Sequence, residues 1–382
     1  MKTLTKAALS ALSVFLLAGC GEKQPALTVS GLNPDDFVSE YNGASTALYT
    51  LTNASGMEVC ITNFGGRIVS VMVPDRDGVL RDVVLGFDNV SSYFPENGDS
   101  NYGAALGRYA NRIKDGKFSI DGVEYELPHN DRANCLHGGP TGWHNKVYEV
   151  VESDAKHLKL KMVSPDKDMQ FPGNVTAFVT YTLLDNNAID ITYDATTDAP
   201  TVINMSNHSY FNLGADPQNH SVCDDILYLN ASGYTPIDKA SIPFGTIDPV
   251  EGTPFDFRTP KLIGADISAD NEQLRNGSGI DHNFVLDTQG DESAVACCLT
   301  NPANGITLKV YTNEPGIQVY TGNFLNGKTT GKGGLAFSYR GAICLETQHY
   351  PDSPNKPEWP TTVLRPGEKY HSHCIFEFSV TK

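Results

Sequence analysis

The chain is short of positive charge: 28 Lys and Arg stand against 45 Asp and Glu, a formal net charge of −17. A nucleic-acid surface needs clustered basic side chains, so that class of partner is excluded. The same balance disfavours an anionic polysaccharide as the main substrate, unless a local basic cleft overrides the global field. Long apolar patterns at helical spacing are missing, as is any fixed-period repeat, which sets aside helical bundles and solenoids. No CxxC occurs among the eight cysteines. Apart from Cys20 they form an odd, scattered set (Cys60, Cys135, Cys223, Cys297, Cys298, Cys344, Cys374), which is a poor disulfide framework and reads as small buried hydrophobes. HExxH, GxSxG and GxGxxG are all absent, so neither a zinc-protease helix, nor a hydrolase nucleophile turn, nor a dinucleotide fold is indicated.

What is present begins with an export pattern. Lys2 and Lys6 precede an apolar stretch at 7–17, shorter than the about 20 residues a membrane span needs. Small residues then lead to a cysteine in Leu17-Ala-Gly-Cys20. This is similar to a bacterial lipoprotein signal, which implies cleavage before Cys20, a lipid on that residue and a protein exported to the periplasmic or cell-surface side. Residues 21–30 then read as a tether. No second apolar segment of spanning length follows, so the membrane is expected to be touched only through the anchor.

From residue 31 to residue 382 the pattern is that of one domain. Short β-branched or alternating runs recur at 57–62, 67–73, 158–163, 175–183, 188–195 and 306–311. Asp-Gly pairs at 77–78, 115–116 and 121–122 mark tight turns, and the runs flanking Asp121-Gly122 form the clearest hairpin. With 35 glycines and 22 prolines there are turn residues enough for many strands. The expected fold is all-β, a large antiparallel β-sandwich.

The candidate chemistry lies in a few polar motifs. In Cys344-Leu-Glu-Thr-Gln-His-Tyr-Pro, strand alternation delivers the Glu346 carboxylate to one face. Asn204-Met-Ser-Asn-His-Ser-Tyr-Phe-Asn-Leu213 sets His208 among amides and hydroxyls, and Asp281-His-Asn-Phe284 adds a second carboxylate. Gly107-Arg-Tyr-Ala-Asn-Arg-Ile113 offers Asn111 and the guanidinium fork of Arg112, while Leu136-His-Gly-Gly139 places His137 before glycines that let backbone approach a ligand. An acid, a base and fork-like hydrogen bonders without a nucleophile motif suit proton transfer on a polyhydroxylated substrate. Each motif also has an ordinary reading: Arg108 and Arg112 as surface ion-pair partners, His137 as a turn residue, the polar cluster at His208 as turn and cap chemistry. His371 and His373 share a strand face but have no third ligand nearby, and they read as solvent-facing. Gly322-Asn-Phe-Leu-Asn-Gly-Lys-Thr329 fits a phosphate-loop pattern, yet Gly-rich sequence follows where a helix must start, so the match reads as chance.

Taken together, these segments, with Glu314-Pro-Gly-Ile-Gln-Val-Tyr-Thr-Gly-Asn323, resemble aldose 1-epimerases (galactose mutarotases) in order and over roughly residues 48–380. The resemblance implies a β-supersandwich that interconverts α and β anomers of free aldohexoses, galactose or glucose, without metal or organic cofactor. It puts Glu346 in the general-base position and His208 in the general-acid position, and it puts His137, Asp281, Asn111, Arg112 and Gln318 on sugar-contacting positions. In that scheme Glu346 is ionised and His208 protonated near neutral pH. Tyr210 or Phe284 stacks on the sugar unless it belongs to the core. The alternative is a non-catalytic carbohydrate-binding module on the same fold. An epimerase of phosphorylated sugars would want more basic residues near the motifs, and a polysaccharide-cleaving enzyme would need two carboxylates astride a glycosidic bond.

Overall fold

The computed structural model describes residues 26–98 and 100–381. The expected export signal at 1–20, with Cys20, and the first part of the tether lie outside the described residues. Val29 and Ser30, at the end of the expected tether, donate their amides to the Glu58 carboxylate (3.0 and 3.2 Å), so this stretch is tied to the sheet it adjoins.

Every named strand pairing among the described residues is antiparallel. The period-2 runs become strands within a residue or two of their expected bounds: Glu58–Thr62, Arg67–Pro74, His157–Ser164, Val175–Leu183, Ala188–Thr197 and Ile306–Thr312. In Val175–Leu183 the alternation is literal. Val175, Ala177, Val179, Tyr181 and Leu183 are buried while the Thr and Phe residues between them are half-exposed. The Asp121-Gly122 hairpin joins Lys117–Ile120 to Val123–Glu126, with φ of 51° and 81° at the two turn residues, the signature of a type I′ turn.

Two sheets make the sandwich. The larger has nine strands. Its centre is the C-terminal strand Tyr370–Val380, which lies between Ala188–Thr197 and Ile306–Thr312. The smaller has six: Tyr210–Phe211, Ile343–Gln348, Gly316–Tyr320, Asp281–Leu286, Ala231–Tyr234 and Asp248–Pro249, in that spatial order. Their facing sides share one core. Ile317, Val319, Phe284, Ile343 and Leu345 from the smaller sheet join Val179, Ile191 and Phe376 from the larger. Phe211 and Phe376 meet edge-on across the interface with ring centroids 5.0 Å apart. Phe284, offered as a sugar-stacking residue, belongs to this core and is fully buried.

The smaller sheet is buried on both faces, and this positions the site. On its second face the alternation brings up Asp281 and Asn283, Gln318 and Tyr320, Cys344 and Glu346, in register across three strands. Loops and short strands cover that face. The phosphate-loop match at 322–329 leaves the Gly316–Tyr320 strand as an irregular turn, and only a three-residue 3-10 turn, Lys332–Gly334, follows it. Among the described residues the only α-helix is Glu272–Asn276, and no helix is long and apolar enough to cross a membrane. The seven described cysteines are all free thiols, most of them buried.

Candidate active site

A polar cavity of about 190 Å³ opens above the second face of the smaller sheet. Glu346 and Asp281 rise from its strands. His208 ends the strand Ser206–His208, which pairs with Ala104–Leu106, and the Gly103 amide donates to the His208 carbonyl. His137 and Asn111 come from two loops locked to each other. The His137 amide donates to the Asn111 carbonyl (3.0 Å), and the Asn111 amide donates to His137 Nδ1 (3.1 Å). Both residues hold a left-handed φ, 51° and 62°.

The glycines near His137 serve this lock rather than a ligand. A Cβ on Gly138 would lie 2.4 Å from the Gly107 carbonyl oxygen, and one on Gly107 would lie 2.1 Å from the Trp143 ring. Their absence lets the two loops close on each other.

The Asn111–His137 hydrogen bond also fixes a tautomer. Nδ1 accepts, so the ring proton sits on Nε2 and His137 is a donor on its free edge. The donor atoms of His137, His208 and Glu346 lie within 4.8 Å of one another, a spacing a cation could use. Ligation through His137 Nε2 would require that nitrogen to lose its proton and the Asn111 bond to break, so the trio is built for proton transfer better than for metal.

His208 Nε2 lies 3.7 Å from Glu346 Oε1, and both side chains are almost fully buried. Burial pushes the Glu346 carboxyl well above the usual range, and the nearby Asp281 charge adds to this while Arg112 opposes it. Burial likewise pulls the His208 imidazole down. Both shifts run against the expected charge states, ionised Glu346 and protonated His208. Desolvation disfavours both charged forms. Glu346 Oε2 is buried and has no hydrogen-bond partner among the described residues.

The remaining residues set charge and orientation. Arg112 Nε donates to Asp131 (2.7 Å), so the end of its guanidinium is left for the cavity it lines. Asn111 Oδ1 accepts the Arg112 amide (2.9 Å), which leaves its NH2 group as a donor. Burial raises the Asp281 carboxyl, against the pull of Arg112 and of a 2.7 Å hydrogen bond from Gln318 Nε2. Gln318 faces the same side of the sheet as Glu346 and holds Asp281 through that bond. Tyr210 lines the cavity with its ring stacked on His208 (4.9 Å, 18°), so it steadies the imidazole. Arg108 is no surface ion-pair partner. It is buried, its guanidinium donates to the Pro172, Gly173 and Ser164 carbonyls and to two hydroxyls, and burial lowers it to about 10.

The sequence reading missed Asn101, Leu136, Tyr320 and Phe324, which also line the cavity. Tyr320 was within reach, since it lies two residues beyond Gln318 on the same strand face. Phe324 and Asn101 sit in irregular loops, where no periodicity points. His371 and His373 lie away from the site and are taken by carboxylates: His371 by Asp194 (2.9 Å), His373 by Asp190 and Glu292 (both 3.2 Å).

Comparison with known proteins places the chain in a family. A family model described as aldose 1-epimerase matches residues 47–377. The chain is 39% identical to the aldose 1-epimerase of Escherichia coli (strain K12) over 339 residues, covering 88% of this chain and 96% of that one. It is 40% identical to the galactose mutarotase of Mus musculus, covering 89% and 96%. Among solved structures, an aldose epimerase homologue from C. elegans superposes with a TM-score of 0.81 at 29% identity, covering 88% of this chain and all of that one. The galactose 1-epimerase of Lactobacillus acidophilus NCFM gives 0.78 at 28% identity, covering 90% and 97%.

Proposed function

From the premise that this chain belongs to the aldose 1-epimerase family, we propose that Glu346 and His208 are the acid–base pair with which it interconverts the α and β anomers of free aldohexoses, galactose and glucose foremost. One observation carries the assignment: a carboxylate and an imidazole 3.7 Å apart, buried together in a polar cavity beside Asp281, Arg112 and His137.

Opening a pyranose hemiacetal takes a proton from the C1 hydroxyl and delivers one to the ring oxygen as the C1–O bond breaks. A pair holding a single proton can do both. Family position makes Glu346 the base and His208 the acid, a distribution reached by moving their proton from carboxyl to imidazole. Burial opposes that charge separation; a bound sugar's hydroxyls and Arg112 offset it. The free aldehyde rotates about C1–C2, and closure runs with the roles exchanged. Each proton transfer is worth about 10²–10⁴-fold in rate. The His137 Nε2–H donates to oxygen on which charge builds, and Asp281 accepts sugar hydroxyls and fixes the ring.

Polarimetry of freshly dissolved α-D-galactose and α-D-glucose tests this directly. Mutarotation well above the buffer rate is expected. A carbohydrate-binding module would leave the rate at that of buffer.

Export is part of the same reading. The Lys2/Lys6 n-region, the 7–17 apolar stretch and Leu17-Ala-Gly-Cys20 support a lipid-anchored protein on the periplasmic or cell-surface side. Labelled palmitate should enter the protein in cells and be absent from Cys20→Ala; label retained by that variant would refute the anchor.

A further inference from the structure

Beside the sugar cavity lies a second, larger one of about 510 Å³, and Phe324 lines both. Phe324 is 60% exposed, and its ring stacks on Tyr320 (5.9 Å, 22°), itself part of the sugar cavity. The rest of the second cavity is polar. Arg132, Lys239 and Arg275 bring three cations to it against one acid, Glu272, on a chain whose net charge is −17. Arg275 is engaged with Asp270. Arg132 and Lys239 have no carboxylate within ion-pair distance among the described residues; Arg132 donates one N–H to the Lys239 carbonyl (2.7 Å), which holds the two together. Asn276, Ser278 and Ser241 add amide and hydroxyl groups. Arg132, Ser241 and Ser278 all hold a left-handed φ (56°, 61° and 56°), as His137 and Asn111 do in the sugar cavity. The two cavities are also joined along the chain: Asp131 anchors Arg112 in the first, and Arg132 lines the second.

An exposed ring beside a sugar cavity is a platform for the C–H face of another ring. Unpaired guanidinium and ammonium groups beyond it suit an anion, which an arginine fork grips through two oxygens. We propose that the aldose site continues past Phe324 into a second subsite, which holds a sugar unit linked to the reducing aldose and carrying a negative charge, a carboxylate or a sulfate ester. The substrate class is then the reducing end of a short acidic oligosaccharide. This local basic cleft is what lets an acidic protein accept it. The inference rests on the aldose-epimerising reading of the neighbouring cavity.

The test compares anomerisation of four substrates by polarimetry: free galactose, a neutral reducing disaccharide, its uronate-bearing counterpart and its sulfated counterpart. Wild type should convert at least one acidic disaccharide with kcat/KM no lower than the neutral one. Arg132→Ala/Lys239→Ala should lower kcat/KM for that acidic substrate about 10- to 100-fold, the loss of charge-assisted contacts to one anion. Free galactose should stay within about twofold, which also shows the variant is folded. Added salt should weaken only the acidic arms, and the arm that responds identifies carboxylate or sulfate. Turnover of both acidic disaccharides at the buffer rate would overturn the proposal, as would an equal fall on all four substrates. Failure of wild type on free galactose would overturn the epimerase reading itself, and this subsite with it.

Discussion

In the proposed mechanism Glu346 and His208 pass one proton between them, and neither can replace the other: the imidazole cannot be its own partner, and an amide at 346 cannot take a proton. Glu346→Gln and His208→Asn should each cut kcat by about 10²–10⁴-fold with a much smaller change in KM, read by polarimetry at saturating sugar. Wild-type turnover in Glu346→Gln would remove the base assignment. Their opposite shifts also set a pH profile. With Glu346 pushed up and His208 pulled down, the singly protonated pair persists on both sides of the ordinary histidine range near about 6.5. Activity should therefore be flat through neutrality, falling on the acid side when His208 gains a second proton and on the alkaline side when Glu346 loses the last one. A kcat/KM profile that already declines between pH 6 and 7 would mean an unshifted imidazole instead. Most of these residues were legible as chemistry from their motifs, because acids and histidines embedded in amides are costly to place elsewhere. Their charge states were not, because those follow from burial, which motif spacing does not report.

Among the strands, Ile343–Gln348 shows how far alternation reads. The face of Glu346 followed from its neighbours Ile343 and Leu345, while Gln318 on the adjacent strand, expected at the sugar, donates its amide to Asp281. Alternation gives the side of a strand and not the depth at which a side chain ends. Gln318→Ala should thus act through Asp281, raising KM far more than it lowers kcat; a kcat loss as large as that of Glu346→Gln would place Gln318 in contact with the proton pair. The turn after Glu346 carries a second pair, a half-buried His349 on a buried Glu314. His349 Nδ1 lies 2.6 Å from Glu314 Oε2, with Glu314 on the segment leading into Gly316–Tyr320. Burial pulls the His349 imidazole down, but the Glu314 charge and hydrogen bond outweigh it and hold it above the ordinary value. A raised value in the folded state means stability that is full below the unfolded value near about 6.5 and is lost as pH rises through the folded one. Urea denaturation across pH 6–9 should show this decline in wild type and not in Glu314→Gln, which should itself cost about 3 kcal/mol at pH 6 by stranding a half-buried partner.

For the molecule as a whole, strand content was plain from composition and periodicity, while strand order was not. The strand Tyr370–Val380 sits in the middle of the nine-stranded sheet, bonded to Ala188–Thr197 on one side and Ile306–Thr312 on the other. No local pattern announces such a partnership, since the pairing residues stand far apart along the chain, and closing loops of that length is a cost the sheet must recover by burial. The consequence is that this sheet is divided until the last strand arrives. Its Ser372, Cys374, Phe376 and Phe378 then complete the core wall that the smaller sheet packs against. The site faces the other side of that smaller sheet, so the core can be weakened without touching the chemistry. Phe376→Ala removes a ring that meets Phe211 across the interface and should cost about 3–5 kcal/mol in urea denaturation, with kcat unchanged under conditions where the variant is folded. Removing residues 370–382 altogether should leave no folded, active protein, because two unpaired strand edges and an open core wall result. A soluble truncated chain that still mutarotates galactose would show that the six-stranded sheet and its loops hold Glu346 and His208 together without the larger sheet behind them.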